Sequence, residues 1–300
     1  MKKIKVAILG SGNIGSDLTE RLLIDPHFEV IALVGRDKTS TGLERFRDRV
    51  PFVVSEGIDG FIPNLSEVEG IFDATSAQSA SHNWRVARDH GKWLIDLTPS
   101  KLGTAFVPSI AGKVAGIELS PDYSHNYSMV TCGGQSAGPI VHAMSSLMDK
   151  VDQVEVSSSI AAKSAGIATR NNLDHYIETT EDLLIKISNC KQSKAVLVLN
   201  PSTPTVPMRT TVTVNGTGAT YEDLLKNVIS EVSKMQQINP GYELIGNLVK
   251  VNAETYSATI RVTGAGHFLP SYAGNLDIIN SAAVITAKMH SHHHQLEKSQ

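Results

Sequence analysis

The sequence predicts an α/β protein in two parts: a doubly wound parallel sheet, then an α+β domain, with a last helix returning to the first part. Three observations predict it. Apolar strand-like and helix-like segments alternate through the first 130 residues, a glycine-rich turn joins the first strand to the first helix, and strands come in adjacent pairs beyond residue 132. Three hundred residues suffice for two such domains.

Ile4 to Leu9 is an unbroken apolar run ending at glycine, as in a strand buried on both faces. A helix is expected over Ser16 to Ile24 and a second strand over Glu29 to Val34. Ile71 to Ala74 and Trp93 to Leu97 read as later strands, with a helix over Ser81 to His90 between them. Beyond Cys132 the pattern changes. Pro139 to Met148 reads as a helix with Pro139 in its first turn, where a missing N–H costs nothing. Val151 to Ile160 alternates apolar and polar residues, as in a half-exposed strand. A helix over Leu173 to Ser188, strands near Ala195 to Leu199 and Met208 to Val214, and a helix over Tyr221 to Met235 follow. Two β-rich runs, Leu244 to Val251 and Tyr256 to Val262, complete a mixed, largely antiparallel sheet with helices on one face. The last helix, Ile278 to Met289, is apolar over much of its surface and is expected to pack on the first domain. His290 to Gln300 reads as a frayed tail. Its histidines, His290, His292, His293 and His294, have metal-ligand chemistry, but a solvated tail is the simpler expectation and no metal is called for.

The net charge of −3 and pI near 6.4 do not favour nucleic acid or an anionic membrane as partner. The apolar run after MKKIK is a short strand without a signal-peptide core, and no stretch is long enough to span a bilayer. Two cysteines, Cys132 and Cys190, make no disulfide framework. A cytoplasmic protein with one functional thiol is the expectation.

Gly10-Ser11-Gly12-Asn13-Ile14-Gly15 lies between a strand and a helix, where G-x-G-x-x-G is the dinucleotide fingerprint of a Rossmann sheet. The glycines give a tight turn, close backbone approach to a pyrophosphate and close helix packing. N–H groups at the helix start, with the helix dipole, favour phosphate. Asp37 stands where a carboxylate would hold a ribose 2′-hydroxyl, but Arg36 and Lys38 flank it and would suit a 2′-phosphate, so NAD and NADP both remain open. Cys132 lies where an apolar strand end meets a small-residue turn, Met129-Val130-Thr131-Cys132-Gly133-Gly134. A thiol at a helix start gains thiolate character. Gly133 and Gly134 would expose N–H groups to an oxyanion. Cys190 has no such setting.

These motifs, with FDATSA at Phe72, LIDLTP at Leu94, MVTCGGQ at Met129, KSAGIATRNN at Lys163, MRTTV at Met208 and GAGHFLPSYAGNLDI at Gly264, resemble the acylating acetaldehyde dehydrogenases. That family is a branch of the semialdehyde and glyceraldehyde-phosphate dehydrogenase fold group. The resemblance implies a dinucleotide-binding domain over 1–131 with 276–290 packing back, a catalytic and dimerisation domain over 132–275, and a tail over 291–300. It implies that Cys132 forms an acyl thioester between an aldehyde and coenzyme A, with NAD or NADP as hydride acceptor. It implies cofactor contacts from Ser11 to Ile14, from Ser164, Ala165, Gly166, Ile167, Ala168, Thr169, Arg170, Asn171 and Asn172, and from Asn275. It implies a homodimer or larger homo-oligomer, and some relatives pair with a 4-hydroxy-2-oxoacid aldolase.

Three departures from the family pattern bear on this. Thr210 replaces the aspartate of MRDT. Gln135-Ser136-Ala137-Gly138-Pro139 is smaller than GQATIP, which would enlarge an acyl pocket. The connection from Pro240-Gly241-Tyr242 to Gly264 is shorter, which argues against an aldolase partner. With the carboxylate gone, His267 is the candidate base, its alternative being a brace for its loop. Arg170 is read as a phosphate ligand of cofactor or coenzyme A, or as a surface residue. An acyl-phosphate reductase and a non-catalytic nucleotide sensor are the competing readings.

Overall fold

The computed structural model describes residues 2–166, 170 and 172–297, and the chain resolves into two compact units. One comprises the chain up to Phe106, Leu119–Met129 and the segment from Ala283 on. The other comprises Val107–Glu118 and Val130–Ala282.

The first unit holds β1 (Ile4–Leu9), α1 (Asn13–Ile24), β2 (Phe28–Val34), α2 (Thr41–Phe46), β3 (Phe52–Val54), α3 (Gly57–Phe61), β4 (Gly70–Asp73), α4 (Ala77–Asp89), β5 (Trp93–Asp96), β6 (Thr104–Ala105) and β7 (Asn126–Ser128). Its strands form one parallel sheet in the order β3-β2-β1-β4-β5-β7-β6. The central strands β4 and β5 are buried at every residue, as a sheet covered on both faces requires. The order reverses between β1 and β4, and in such sheets a ligand crevice opens beyond the carboxyl ends of the strands at that point.

The second unit holds α5 (Cys132–Ser145), β8 (Lys150–Ala161), α6 (Leu173–Ser188), β9 (Gln192–Asn200), β10 (Met208–Thr217), α7 (Tyr221–Ile238), β11 (Tyr242–Lys250) and β12 (Thr255–Val262). Its sheet runs β11-β12-β10-β8-β9 and is antiparallel except for the β8–β9 pair. Burial alternates along β10 and β12, with one face turned to the helices and the other half-exposed. The last helix, α8 (Gly274–Glu297), begins in the second unit; from Ala283 it belongs to the first.

Two expectations are corrected. α5 starts at Cys132, not at Pro139, so the proline lies inside the helix. Apolar packing of α5 against α6 and the sheet outweighs the hydrogen bond that the proline removes. Residues 291–297 are not a frayed tail either. They continue α8, because His290 and His294 share one helix face and bury their rings against Tyr123 in the first unit. Burial drives the His290 pKa down to about 3, aided by repulsion from His294, which keeps the ring neutral. Among the described residues no group of His, Cys, Asp and Glu side chains is arranged to hold a metal ion, and no helix is long and apolar enough to cross a membrane.

Candidate active site

The crevice of the first unit, about 500 Å³, is lined by Gly10, Ser11, Gly12, Arg36, Thr75 and Asn83 among others. Each fingerprint glycine has a distinct steric reason. Gly10 has φ +103°, and a side chain there would strike the Ala74 carbonyl. A side chain on Gly15 would strike the Gly10 carbonyl, so α1 lies against the turn. A side chain on Gly12 would meet nothing, which leaves its backbone open to a ligand. Gly12 caps α1 without a side-chain bond to the first-turn N–H groups. Asn13 and Ile14 open that helix, so those N–H groups face the position where phosphate is favoured.

Beyond β2, Arg36 lines the crevice, whereas Asp37 is fully exposed and takes the Thr39 N–H and hydroxyl at 2.8 and 2.7 Å. These bonds hold the Asp37 carboxyl below its ordinary pKa. The carboxylate expected to read a ribose 2′-hydroxyl is therefore engaged in its own turn. Two buried carboxyls lie at neighbouring strand ends. Asp73 accepts from Thr75 and Asn83, and Asp96 accepts from Thr98 and Ser100. Burial raises both, Asp96 to about 6.

In the second unit the chain enters α5 through Val130, held at φ +61°. A β-branched residue rarely adopts this backbone, and its strain is on the order of 1–3 kcal/mol. Thr131 caps the helix, its hydroxyl accepting from the Gly134 N–H at 2.9 Å and meeting Thr180 Oγ1 at 2.8 Å. Cys132 is thereby the first helical residue, with its sulfur 3.6 Å from the Tyr176 hydroxyl. Tyr176 heads a buried stripe on α6 that continues through Thr180, Leu183, Leu184 and Ile187. The stripe packs its polar start on the beginning of α5 and its apolar remainder on the helix body.

This geometry corrects two readings of the cysteine. Burial raises the thiol pKa, and bonds from Tyr176, the Gly133 N–H and the cysteine's own N–H offset it only in part, so the thiol is not ionised by its helix start alone. Nor are the two glycine N–H groups free for an oxyanion. Gly133 donates to Tyr176 Oη at 2.9 Å and Gly134 to Thr131. The Gly133 and Cys132 N–H groups both also favour the ionised sulfur.

Thr210, at the position of the family's aspartate, is fully buried and meets Ser136 Oγ at 2.7 Å and Ser158 Oγ at 3.2 Å. Register explains the second contact, since Thr210 stands opposite Ser158 in the β10–β8 ladder. Ser136 lies one turn beyond Cys132 on the same face of α5, and Ser158 hydrogen-bonds Tyr176. Ser136, Ala137 and Gly138 are buried in packing contacts. A side chain on Gly138 would stand 3.1 Å from Ile187 and 3.7 Å from Val107. The small residues after the cysteine therefore fit the helix into its unit.

The remaining candidates are scattered over the second unit. His267 is exposed on the loop before α8 and shares no hydrogen bond with Cys132. Ser164 is buried and bonds the Ala161 carbonyl at 2.8 Å, Ala165 is buried and Gly166 exposed. Arg170 donates to the Ala165 and Ala162 carbonyls, which occupies part of the guanidinium expected to meet a phosphate. Asn172 caps α6. Ile167, Ala168, Thr169 and Asn171 lie outside the described residues. Asn275 is buried, and its Oδ1 has no hydrogen-bond partner. An orphaned acceptor of this kind fits an amide N–H donor such as the carboxamide of a nicotinamide. Tyr176, Ser158 and Val130 were not singled out from the sequence. Only the i, i+4, i+7, i+11 spacing from Tyr176 hinted that the tyrosine heads a buried face.

Comparison with known proteins first defines a class. Residues 5–102 match the family model described as semialdehyde dehydrogenase, NAD binding domain, and residues 132–270 match prokaryotic acetaldehyde dehydrogenase, dimerisation. Aspartate semialdehyde dehydrogenase II of Vibrio cholerae, complexed with ASA, superposes with a TM-score of 0.63 at 14% identity, over 96% of this chain and 98% of its own. Aspartate semialdehyde dehydrogenase of Candida albicans, with NADP, gives 0.59 at 14%, over 95% and 100%. At that identity the likeness is one of fold alone; the class, NAD(P)-binding dehydrogenases, follows from the two family models. Acetaldehyde dehydrogenase of Burkholderia pseudomallei is 40% identical over 97% of this chain and 95% of its own length, and that of Pectobacterium atrosepticum is 38% identical over 96% of each. The chain belongs to the acetaldehyde dehydrogenase family, whose members are NAD(P)-dependent oxidoreductases acting on aldehydes.

Proposed function

We propose that the protein interconverts a short aldehyde and its coenzyme A thioester, with Cys132 as the nucleophile. The observation that carries this is the placement of the thiol at the first residue of α5, behind a strained Val130 and beside the Tyr176 hydroxyl, in a chain otherwise matched to acetaldehyde dehydrogenases.

The Cys132 sulfur attacks the aldehyde carbonyl carbon. A C–S bond forms and the carbonyl oxygen becomes the hydroxyl of a hemithioacetal. A nicotinamide, when bound, would supply the acceptor for the hydride lost from this carbon as it reaches the oxidation level of a thioester. The Gly10–Gly15 turn and Arg36 would hold the dinucleotide in this reading. The coenzyme A thiol then attacks the acyl carbon, and the Cys132 sulfur leaves. His267, exposed on its loop, is the candidate base for the proton that the hemithioacetal hydroxyl loses with hydride departure, or for that of the incoming thiol. The second unit assembles copies of the chain into a homodimer or larger homo-oligomer, as the description of its family model supports, and activity does not need an aldolase.

Replacing Cys132 with serine tests the nucleophile. Turnover with acetyl-CoA, followed by nicotinamide absorbance, falls by at least 10³-fold on the scale set by loss of a covalent nucleophile, while dinucleotide binding persists. Near-wild-type turnover in a pure sample overturns the assignment.

A further inference from the structure

We infer that Tyr176 is a catalytic residue that donates its hydroxyl hydrogen to the ionised Cys132 sulfur, oriented by a chain of buried hydroxyls at Ser158, Thr210 and Ser136. The inference rests on the reading of Cys132 as the nucleophile.

The geometry fixes what the tyrosine can do. Its oxygen accepts the Gly133 N–H at 2.9 Å and lies 3.6 Å from the sulfur, with the Ser158 hydroxyl as its further partner. A phenol has one hydrogen, so it donates either to Ser158 or to the sulfur. Each choice sets the remaining hydroxyls. With a neutral thiol, S–H donates to Tyr176, Tyr176 to Ser158, Ser158 to Thr210 and Thr210 to Ser136. Ser136 then donates to the Gly133 carbonyl, 3.1 Å away. With a thiolate every hydroxyl reverses: Ser136 donates to Thr210, Thr210 to Ser158, Ser158 to Tyr176, and Tyr176 to the sulfur. Both arrangements use the same hydroxyls at the same distances, so once the thiol has given its proton to water the chain adapts by hydroxyl rotation, with no movement of helix or strand. The reversed chain offers the sulfur an O–H donor within its unit, and a hydrogen bond to a charged acceptor is about twice as strong as one between neutral groups.

The arrangement also accounts for Thr210. A carboxylate there would lie fully buried among Ser136 and Ser158, and among the described residues no cation is hydrogen-bonded to Thr210 or to either serine. A threonine can reverse its polarity, which a carboxylate, being acceptor-only when ionised, cannot. The same donation serves the reaction twice. It favours the attacking thiolate, and it favours the departure of sulfur when coenzyme A displaces the acyl group.

Alkylation by iodoacetamide between pH 6 and 10.5, followed by mass spectrometry of the Cys132 peptide, tests the inference on a Cys190→Ser background. In Tyr176→Phe the rate at a fixed pH below the midpoint falls about ten-fold, and the midpoint of the rate against pH rises by about one pH unit, as loss of one hydrogen bond to a charged sulfur requires. Thr210→Val moves it in the same direction by less, with the Tyr176 ring untouched. A Tyr176→Phe profile that coincides with the parent's overturns the inference. Should Tyr176→Phe not fold, as judged by melting and dinucleotide binding, Ser158→Ala takes its place, with the same direction expected and the same coincidence overturning it. Alkylation reads the thiol and not turnover, so this result is separate from the fate of Cys132→Ser in the acetyl-CoA assay.

Discussion

Gly138 separates a pocket role from a packing role for the segment after Cys132. It precedes Pro139 inside α5, and a residue before proline is disfavoured in the helical region by contact between its Cβ and the proline ring. Glycine has no Cβ, so the pair Gly138-Pro139 is tolerated where another pair would not be. Gly138→Ala adds a Cβ 3.1 Å from the flexible end of Ile187. Its gain in helix propensity, about 1 kcal/mol, is offset by the pre-proline contact, leaving stability within about 1 kcal/mol of the parent. Gly138→Ile extends three further carbons towards Ile187 and Val107 in a packed interface. Overpacking there costs on the order of 2–3 kcal/mol, and at roughly 2–4 °C per kcal/mol the melting temperature falls by about 4–12 °C. The assay pairs thermal melting with kcat/KM for acetyl-, butyryl- and isobutyryl-CoA. The ratio among the three is expected to stay constant in both variants while the melting point drops only for isoleucine. A Gly138→Ile protein that melts like the parent but selects against the longer chains would refute the packing argument.

Two further outcomes follow from the first unit. Arg36→Ala should weaken NADP binding at least ten-fold more than NAD binding in a fluorescence titration, because Arg36 lines the crevice while the Asp37 carboxylate is held by Thr39; equal losses contradict this. The folded His290 pKa of about 3 lies below the unfolded value near 6.5, so this histidine contributes stability above pH 6.5 that is lost as pH falls towards 3. At pH 5 the loss is about 2 kcal/mol, so His290→Phe should gain about that much on the parent between pH 7 and pH 5. Urea unfolding followed by the fluorescence of Trp84 and Trp93, both in the first unit, reads it, and a difference that does not change with pH rules it out.

The parallel sheet was legible because its strands are apolar on both faces and its fingerprint turn is local. Ile4–Leu9 came out with its observed ends, as did the helix from Leu173 to Ser188, whose periodicity is uninterrupted. The start of α5 was misplaced by seven residues. Proline and three glycines argue locally against a helix that packing nevertheless enforces. The tail was misjudged because histidine reads as polar, although His290 and His294 are a helical turn apart and pack as aromatic rings. Within the site, Cys132 stood out by its turn. The hydroxyl chain did not, since its bonded members lie 18 to 74 residues apart and are brought together by strand register and helix docking. Serine, threonine and tyrosine at such separations carry no local mark of a shared role.

The hydroxyl chain is electrically neutral in either polarity, and this bears on how Cys132 ages. A thiol activated by a permanent neighbouring charge is held partly ionised at all times, and the thiolate is the form that peroxide converts to sulfenic acid. Here burial keeps the resting sulfur protonated, and the donor that favours its ionised form costs nothing electrostatically until it turns. Durability towards oxidants and readiness for attack are thus divided between two orientations of the same few hydrogens.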